Sequence, residues 1–461
     1  MSLVNSLARR DAAVLLHPQT DWRAHEESGA LVVTRGEGVH VFDEDDKGYI
    51  EGMAGLWCTA LGFSEPRLVE AARRQMSLLP YEHVYSHQTH GPAVELAERL
   101  LALAPPSMTK VFFACSGSEA NDTIVRMIWY YNNALGRPAK KKIVSRRRAF
   151  HGSTCVSGSV TGLPNLQADF DLPLPGFVHA RAPHHYREGL PGESEEDFAT
   201  RLAEELEQLI VAEGGAEHCA AFFAEPVMGA GGVVVPPQTY FAKVKTVLDR
   251  YDMLLVADEV ICGFGRTGNM WGSETFGMQP DFMTVAKALS SAYLPISGVM
   301  TTQAVYNVLA DNSRRRGFFG HGFTYSAHPV SAAVALETLA IYAERDVLGH
   351  VRQVAPVFQR ELRRFADHPL VGEARGVGLV GALEMVADKA ARTPFDPSLK
   401  VGARIARAAR DHGLITRAMG DTMGFSPPLV ISETEIVEMF ARFARALDEI
   451  AGSVLPTQRA A

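Results

Sequence analysis

The sequence predicts an α/β protein: a large, mostly parallel sheet with helices on both faces, and a smaller α+β domain beside it. Three observations carry that prediction. Between about residue 90 and residue 330, short apolar runs alternate with stretches of helical spacing. Each run leads straight into residues suited to chemistry. At both ends of the chain the pattern changes. Strands that alternate with helices imply crossovers, hence parallel pairing and a sheet buried on both faces.

Taken in order, residues 1 to about 60 read as irregular structure and short strands, with charged and glycine-rich turns as in "GVHVFDEDDKGYIEG". The apolar runs that follow are "VFFA" (111–114), "KIVS" (142–145), "AAFFA" (220–224), "MLLVA" (253–257) and "FMTVA" (282–286). Helices are expected between them. Ile124, Met127, Ile128 and Tyr131 share one helical face, as do Phe241, Val244, Val247, Leu248 and Tyr251. Past residue 330, "SAAVALETLAIYAERD" and "HVRQVAPVFQRELRRF" read as helices and "GVGLVGALEMV" as one strand. "TEIVEMFARFARALDEIA" reads as a last helix, with Ser432 and Glu435 spaced as its capping box. The expected division is residues 1–75 for the N-terminal part of the small domain, 76–330 for the large domain and 331–461 for the C-terminal part of the small one.

Composition narrows the function. Of 461 residues, 47% are hydrophobic and 21% charged, enough apolar material for a substantial core. The net charge of −8 argues against nucleic acid as a partner, since phosphate binding favours a basic footprint. The basic run "KKKIVSRRR" (140–148) reads as solvated charge flanking a strand. Cys58, Cys115, Cys155, Cys219 and Cys262 form no C-x-x-C pair and read as reduced thiols. No segment has the apolar length of a signal peptide or a membrane span, so a soluble, cytoplasmic protein that avoids membranes is expected. The opening "MSL" reads as a cloning scar. His184, His185, His321 and His328 lack metal-ligand spacing, and no metal centre is expected.

The chemistry follows the strands. "VFFA" leads into "CSGSEAND", "KIVS" into "RRRAFHGST", "AAFFA" into Glu225 and "MGAGG", "MLLVA" into Asp258, and "FMTVA" into Lys287. Ligands of open α/β sheets bind at these carboxyl ends. Ser116 and Glu119 form a capping-box pattern, and a helix start after a glycine turn offers free backbone N–H groups to an anion. Neither the P-loop pattern nor G-x-G-x-x-G occurs at a strand–helix junction, which weakens a nucleotide reading. Each residue alone has a plain alternative: an N-cap serine, a turn aspartate, a surface lysine. Together, a phosphate cradle, a lysine able to form a Schiff base and a buried carboxylate able to hold a pyridinium nitrogen protonated are the three handles of pyridoxal phosphate.

With "TRGEGVHVFDEDDKGYIEGMAGLWC", "LLVADEVICGFGRTG", "AKALSSAYLPISG", "HGFTYSAHP" and "ITRAMGD", the sequence resembles the class III, fold-type-I, pyridoxal-phosphate-dependent aminotransferases over nearly its whole length. Within them it looks like the ω-transaminase, or amine:pyruvate, branch. The resemblance implies a mainly parallel seven-stranded sheet in the large domain. It implies Lys287 as the internal-aldimine lysine and Asp258 as the partner of the pyridine nitrogen, with Val260 packed on the ring. Ser116, Gly117 and Ser118 match the phosphate-binding turn. Phe150 and His151 match positions beside the cofactor, and Glu225 an acid on its hydroxyl side. Trp57 and Tyr85 resemble the aromatic wall of a substrate pocket that Phe150 and Ala230 also line. Arg417 resembles a mobile arginine that clamps a substrate carboxylate. Thr324, with Phe323, resembles a segment that reaches the partner's phosphate, implying a homodimer. One position departs from the pattern: Phe150 stands where tyrosine is usual, which keeps ring stacking and removes a hydroxyl. The implied activity is ping-pong transamination from a primary amine or ω-amino acid to a keto acid, pyruvate foremost. Diamine, taurine and diaminopelargonate aminotransferases share the pattern. A non-catalytic cofactor-binding protein is the reading from another class, and the intact Lys287, Asp258 and Arg417 argue against it.

Overall fold

The computed structural model describes residues 6–454, so the opening "MSL" lies outside the described residues. Its strands are β1 (Val33–Glu37), β2 (His40–Asp43), β3 (Gly48–Glu51), β4 (Met108–Ala114), β5 (Lys142–Arg146), β6 (Phe177–Ala180), β7 (Cys219–Ala224), β8 (Leu254–Asp258), β9 (Phe282–Val285), β10 (Ser297–Thr302), β11 (Val371–Val377), β12 (Val380–Met385), β13 (Leu414–Ile415), β14 (Arg417–Met419) and β15 (Thr422–Phe425). Seven of them form the central sheet in the order β4-β10-β9-β8-β7-β5-β6. Strands β9, β8, β7, β5 and β6 run parallel, and β10 runs antiparallel to both β9 and β4. The sheet is therefore mainly parallel and seven-stranded.

All five apolar runs are strands of this sheet. β7 shows why they were legible: all six of its residues are buried. Phe222, with Leu255 and Met283, feeds one hydrophobic cluster, while Phe223, with Val256 and Phe282, feeds another. Successive side chains of a strand point to opposite faces, so a strand covered on both sides reads as one apolar run.

A second sheet, β1-β2-β3-β13, joins the two ends of the chain, because β13 pairs parallel with β3. A third has the order β11-β12-β15-β14. Here one expectation is corrected. "GVGLVGALEMV" holds more than one strand: it carries the end of β11, a tight turn and the whole of β12, which pairs antiparallel with β11. Gly378 turns the chain at φ +58°, and a Cβ there would lie 2.4 Å from the Arg266 carbonyl oxygen. The final helix, Glu433–Val454, starts as expected: Glu435 N–H donates to Ser432 Oγ at 3.3 Å, and Ser432 N–H to Glu435 Oε2 at 2.8 Å.

The basic run is also corrected. Lys140 is buried and donates to the Tyr251 carbonyl at 3.1 Å. Arg146, at the end of β5, is fully buried and donates to the Glu225 carbonyl at 2.6 Å. A strand inside a two-sided sheet carries its flanking charges inward, where they find carbonyl oxygens instead of water. Among the described residues, no helix is long and apolar enough to cross a membrane.

Strand β3 ends in Glu51, a buried carboxyl whose Oε2 accepts the Gly55 N–H. It anchors a turn in which Ala54, Gly55 and Trp57 all have positive φ. Burial pushes the Glu51 carboxyl up to about 8. Between its ordinary value and that figure the unfolded chain binds fewer protons than the folded one, so folding loses stability as pH rises through this window. Glu51→Gln keeps an acceptor for Gly55. It is expected to raise Tm at pH 8 by at least about 2 °C and to flatten the dependence of Tm on pH between 5 and 8, measured by calorimetry.

Candidate functional site

The carboxyl ends of β7, β8 and β9 lie side by side and present Glu225, Asp258 and Lys287. Asp258 is the last residue of β8 and is 3% exposed. Its Oδ2 accepts from Asn121 Nδ2 and from His151 Nδ1, each at 2.8 Å, and its Oδ1 accepts from Val260 N–H at 3.1 Å. Asn121 is itself fixed, donating also to the His151 carbonyl at 2.7 Å and accepting from Thr284 Oγ1 at 2.7 Å. The carboxylate is thereby aimed, with no freedom to turn. The neighbouring acid, Glu259, faces elsewhere: its oxygens accept the N–H groups of Gly272 (2.9 Å) and Ser273 (2.6 Å). Burial raises its carboxyl to about 7. Of the two adjacent acids, one serves the cavity and the other holds a loop.

Glu225 is buried beside this group. Its Oε1 accepts from Phe150 N–H at 3.1 Å and its Oε2 from Gly229 N–H at 2.9 Å. Burial raises its carboxyl above the usual range. Lys287 follows β9 in a short 3-10 turn with φ +49°, a conformation that costs a non-glycine residue energy and is retained where surrounding structure enforces it. Burial lowers its amine below the ordinary lysine value, against the pull of Cys58, Asp258 and Glu225.

Ser116 caps the helix Gly117–Ala134 in a full capping box with Glu119. Ser118 Oγ accepts from Ser153 N–H at 3.1 Å, tying the turn after β4 to the one after β5. Gly117, Ser118, Asn121, Phe150, His151, Glu225, Asp258, Val260 and Lys287 line an inner cavity of about 140 Å³. Beside it an outer cavity of about 690 Å³ is lined by Trp57, Arg148, Phe150, Ala230, Lys287 and Arg417, among others. Lys287 borders both. Trp57 lies between the two cations, with Lys287 Nζ 5.8 Å and the Arg417 guanidinium 5.1 Å from its ring centre. Burial lowers the Arg417 value, and its Nη2 donates to Gln19 Oε1 at 3.4 Å.

Four sequence candidates line neither of these two cavities: Ser116, the N-cap just before Gly117, and Tyr85, Thr324 and Phe323. Tyr85 is 42% exposed and borders another cavity, with Phe112 and Phe318. Thr324 is exposed, and its carbonyl accepts from Tyr81 Oη at 2.7 Å. Phe323 stacks its edge on His321, ring centres 5.1 Å apart. The structure adds residues that sequence reasoning missed. Asn121 was quoted within "CSGSEAND" but only its bond to Asp258 reveals it. Arg148, part of the basic run, reaches the outer cavity, as do Gln19, Thr20, Leu163 and Asn165.

Residues 23–447 match the family described as "Aminotransferase class-III". The chain is 49% identical over 436 residues to gamma aminobutyrate transaminase 1, mitochondrial, of Solanum lycopersicum, covering 94% of this chain and 84% of that protein. It is 50% identical over 418 residues to the Oryza sativa subsp. japonica gamma-aminobutyrate transaminase 1, mitochondrial (90% and 81%). Among solved structures it is similar to the ω-transaminase of Pseudomonas jessenii in complex with PMP, at 54% identity and a TM-score of 0.96 over 98% of this chain and 99% of that one. With that match spanning the whole site, the chain belongs to the class III aminotransferases, enzymes of the pyridoxal-phosphate-dependent fold type I.

Proposed function

We propose that this enzyme transfers an amino group from a primary amine or ω-amino acid to a keto acid, with pyruvate as the acceptor. The observation that carries this reading is the placement of Lys287 between a small inner cavity that holds Asp258 and Glu225 and a larger outer one lined by Arg417. The inner cavity suits pyridoxal phosphate. It holds one buried carboxylate for a ring-nitrogen cation, a helix start for a phosphate and one lysine amine. Its floor is tight: a Cβ on Gly117 would lie 3.2 Å from Val260. Bound there, the cofactor supplies an electron sink and the carbon that carries the amino group between donor and acceptor.

The protein's residues do the rest. Asp258, oriented by Asn121 and His151, keeps the ring nitrogen protonated. Ser116, Gly117 and Ser118 hold the phosphate at the positive end of their helix. Val260 and Phe150 would flank the ring, and Glu225 would stand at its hydroxyl side. Lys287, its amine easier to deprotonate through burial, takes a proton from the substrate carbon and returns it to the cofactor side. Trp57, Phe150 and Ala230 shape the substrate pocket. The Arg417 guanidinium meets a substrate carboxylate with two parallel hydrogen bonds. Thr324 and Phe323, which line neither of the two cavities around Lys287, serve the partner's site in a homodimer. The names of the plant relatives favour an ω-amino acid among the donors. Five free cysteines support a reducing, cytoplasmic setting.

The test is the visible absorbance of the loaded enzyme with 1-phenylethylamine, β-alanine or 4-aminobutyrate, then pyruvate. Loss of the yellow band with a donor and its return with pyruvate is the expected result. A band that no donor in a broad panel bleaches would sink the reading. Arg417→Ala is expected to raise KM for pyruvate by about 10- to 100-fold, the loss of a charge-assisted pair worth roughly 1.5–3 kcal/mol. The half-reaction with 1-phenylethylamine, which has no carboxylate, is expected to change less than about threefold.

A further inference from the structure

One cluster of ligating side chains takes no part in the site described. Asp11 lies on the helix Leu7–Val14, His25 on the helix Trp22–Ser28, and His17 in the linker between them. His17 Nε2 is 2.8 Å and His25 Nε2 is 2.9 Å from the same oxygen, Asp11 Oδ2. The two rings stand 4.1 Å apart, centre to centre. Among the described residues, this is the one group of three or more such side chains whose ligand atoms all fall within 4.8 Å of one another. All three residues are half-buried.

Hydrogen bonding alone does not require this convergence. A carboxylate has two oxygens and about four lone-pair sites, so two imidazoles can be satisfied without crowding one oxygen. A shared cation gathers donor atoms around one point, and these three are so gathered. Two neutral imidazoles and one carboxylate are a mixed nitrogen and oxygen donor set of charge −1. That set matches a divalent transition metal, whereas calcium and magnesium take oxygen ligands. Zinc bonds at about 2.0–2.1 Å set tetrahedral edges near ~3.4 Å, so the Asp11 oxygen needs to draw back from each imidazole nitrogen by about half an ångström to seat the ion.

We propose that Asp11, His17 and His25 form a binding site for a divalent transition metal such as zinc, with three protein ligands and a fourth position left to water. This sets aside the expectation of no metal centre. That expectation weighed histidines elsewhere, and Asp-x5-His-x7-His is not a familiar spacing. The site is structural for the amino transfer: it staples the two N-terminal helices across their linker. That linker carries Gln19 and Thr20, which line the outer cavity, and Gln19 is the residue that accepts from Arg417. A metal here therefore fixes one rim of the substrate pocket.

The test is a calorimetric titration of the cofactor-loaded enzyme with zinc chloride after chelator treatment and desalting, with metal content read by elemental analysis. One zinc per chain is expected, with magnesium chloride giving no heat. His25→Gln and Asp11→Asn, checked for fold by circular dichroism, are expected to weaken zinc binding by at least about 100-fold, the upper end of the loss when only a ligand's outer partner is removed. Equal binding by the variants, or none by the wild type, overturns the proposal: the cluster is then a hydrogen-bonded staple only. Anomalous diffraction from zinc-soaked wild-type crystals gives a reading independent of the variants. A zinc peak between the three side chains supports the site, and zinc elsewhere or nowhere overturns it.

Discussion

Lys287→Ala is expected to lower the rate of transamination by about 10⁴-fold or more, since one residue supplies both the covalent anchor and a proton transfer that alone is worth 10²–10⁴. The fold is expected to survive. Alanine accepts the φ of +49° no worse than lysine does. Removing an amine that burial disfavours relieves a cost instead of adding one. Ketone release from 1-phenylethylamine with pyruvate measures the loss, and thermal unfolding checks the fold. Turnover retained in the variant would remove Lys287 from the mechanism. A collapse of Tm by more than about 5 °C would make its role structural.

Asp258→Asn is expected to cost both activity and cofactor affinity. The aspartate accepts three hydrogen bonds, from Asn121, His151 and Val260. An asparagine of the same size offers one oxygen and one NH2 group. The NH2 group must then face a donor, either the Val260 N–H or the Asn121 and His151 pair, and the site loses the charge that faces a ring-nitrogen cation. Breaking a buried charge pair in this way costs about 3–5 kcal/mol, or roughly 10³-fold in kcat/KM. Titrating the apoenzyme with pyridoxal phosphate, followed by its visible absorbance, measures the affinity. In contrast to Lys287→Ala, Tm is also expected to fall, because donors are stranded in the core. Wild-type kcat/KM in this variant would show that the carboxylate does not govern the ring.

The strands that carry the site were legible because a parallel sheet buried on both faces writes itself as continuous apolar runs. β6 and β10 escaped notice for physical reasons. β6 is four residues long and includes His179, and β10, "SGVMTT", is small and polar in composition. The helices Leu7–Val14 and Trp22–Ser28 bury none of their residues, so no apolar stripe announced them. The same logic divides the site. Lys287, Asp258 and Glu225 sit at strand ends, where position in the sequence and position in the fold coincide. Asn121 lies one turn inside a helix, and its part in the site shows only through its bond to Asp258 and its place in the cavity wall. Gln19 and Thr20 come from the far end of the chain, and no local pattern links them to Arg417. Tyr85 and Thr324 carry a resemblance that one chain alone does not realise at its own pocket.

The two adjoining cavities have Phe150, Ile261 and Lys287 in common. Most of the outer wall, including Leu56, Trp57, Leu163 and Arg417, does not line the inner cavity. On the reading proposed above, replacements along that wall are expected to alter which amines are accepted while leaving cofactor retention intact. Phe150, Ile261 and Lys287 belong to both compartments, and a replacement at any of them is expected to couple substrate choice to the chemistry.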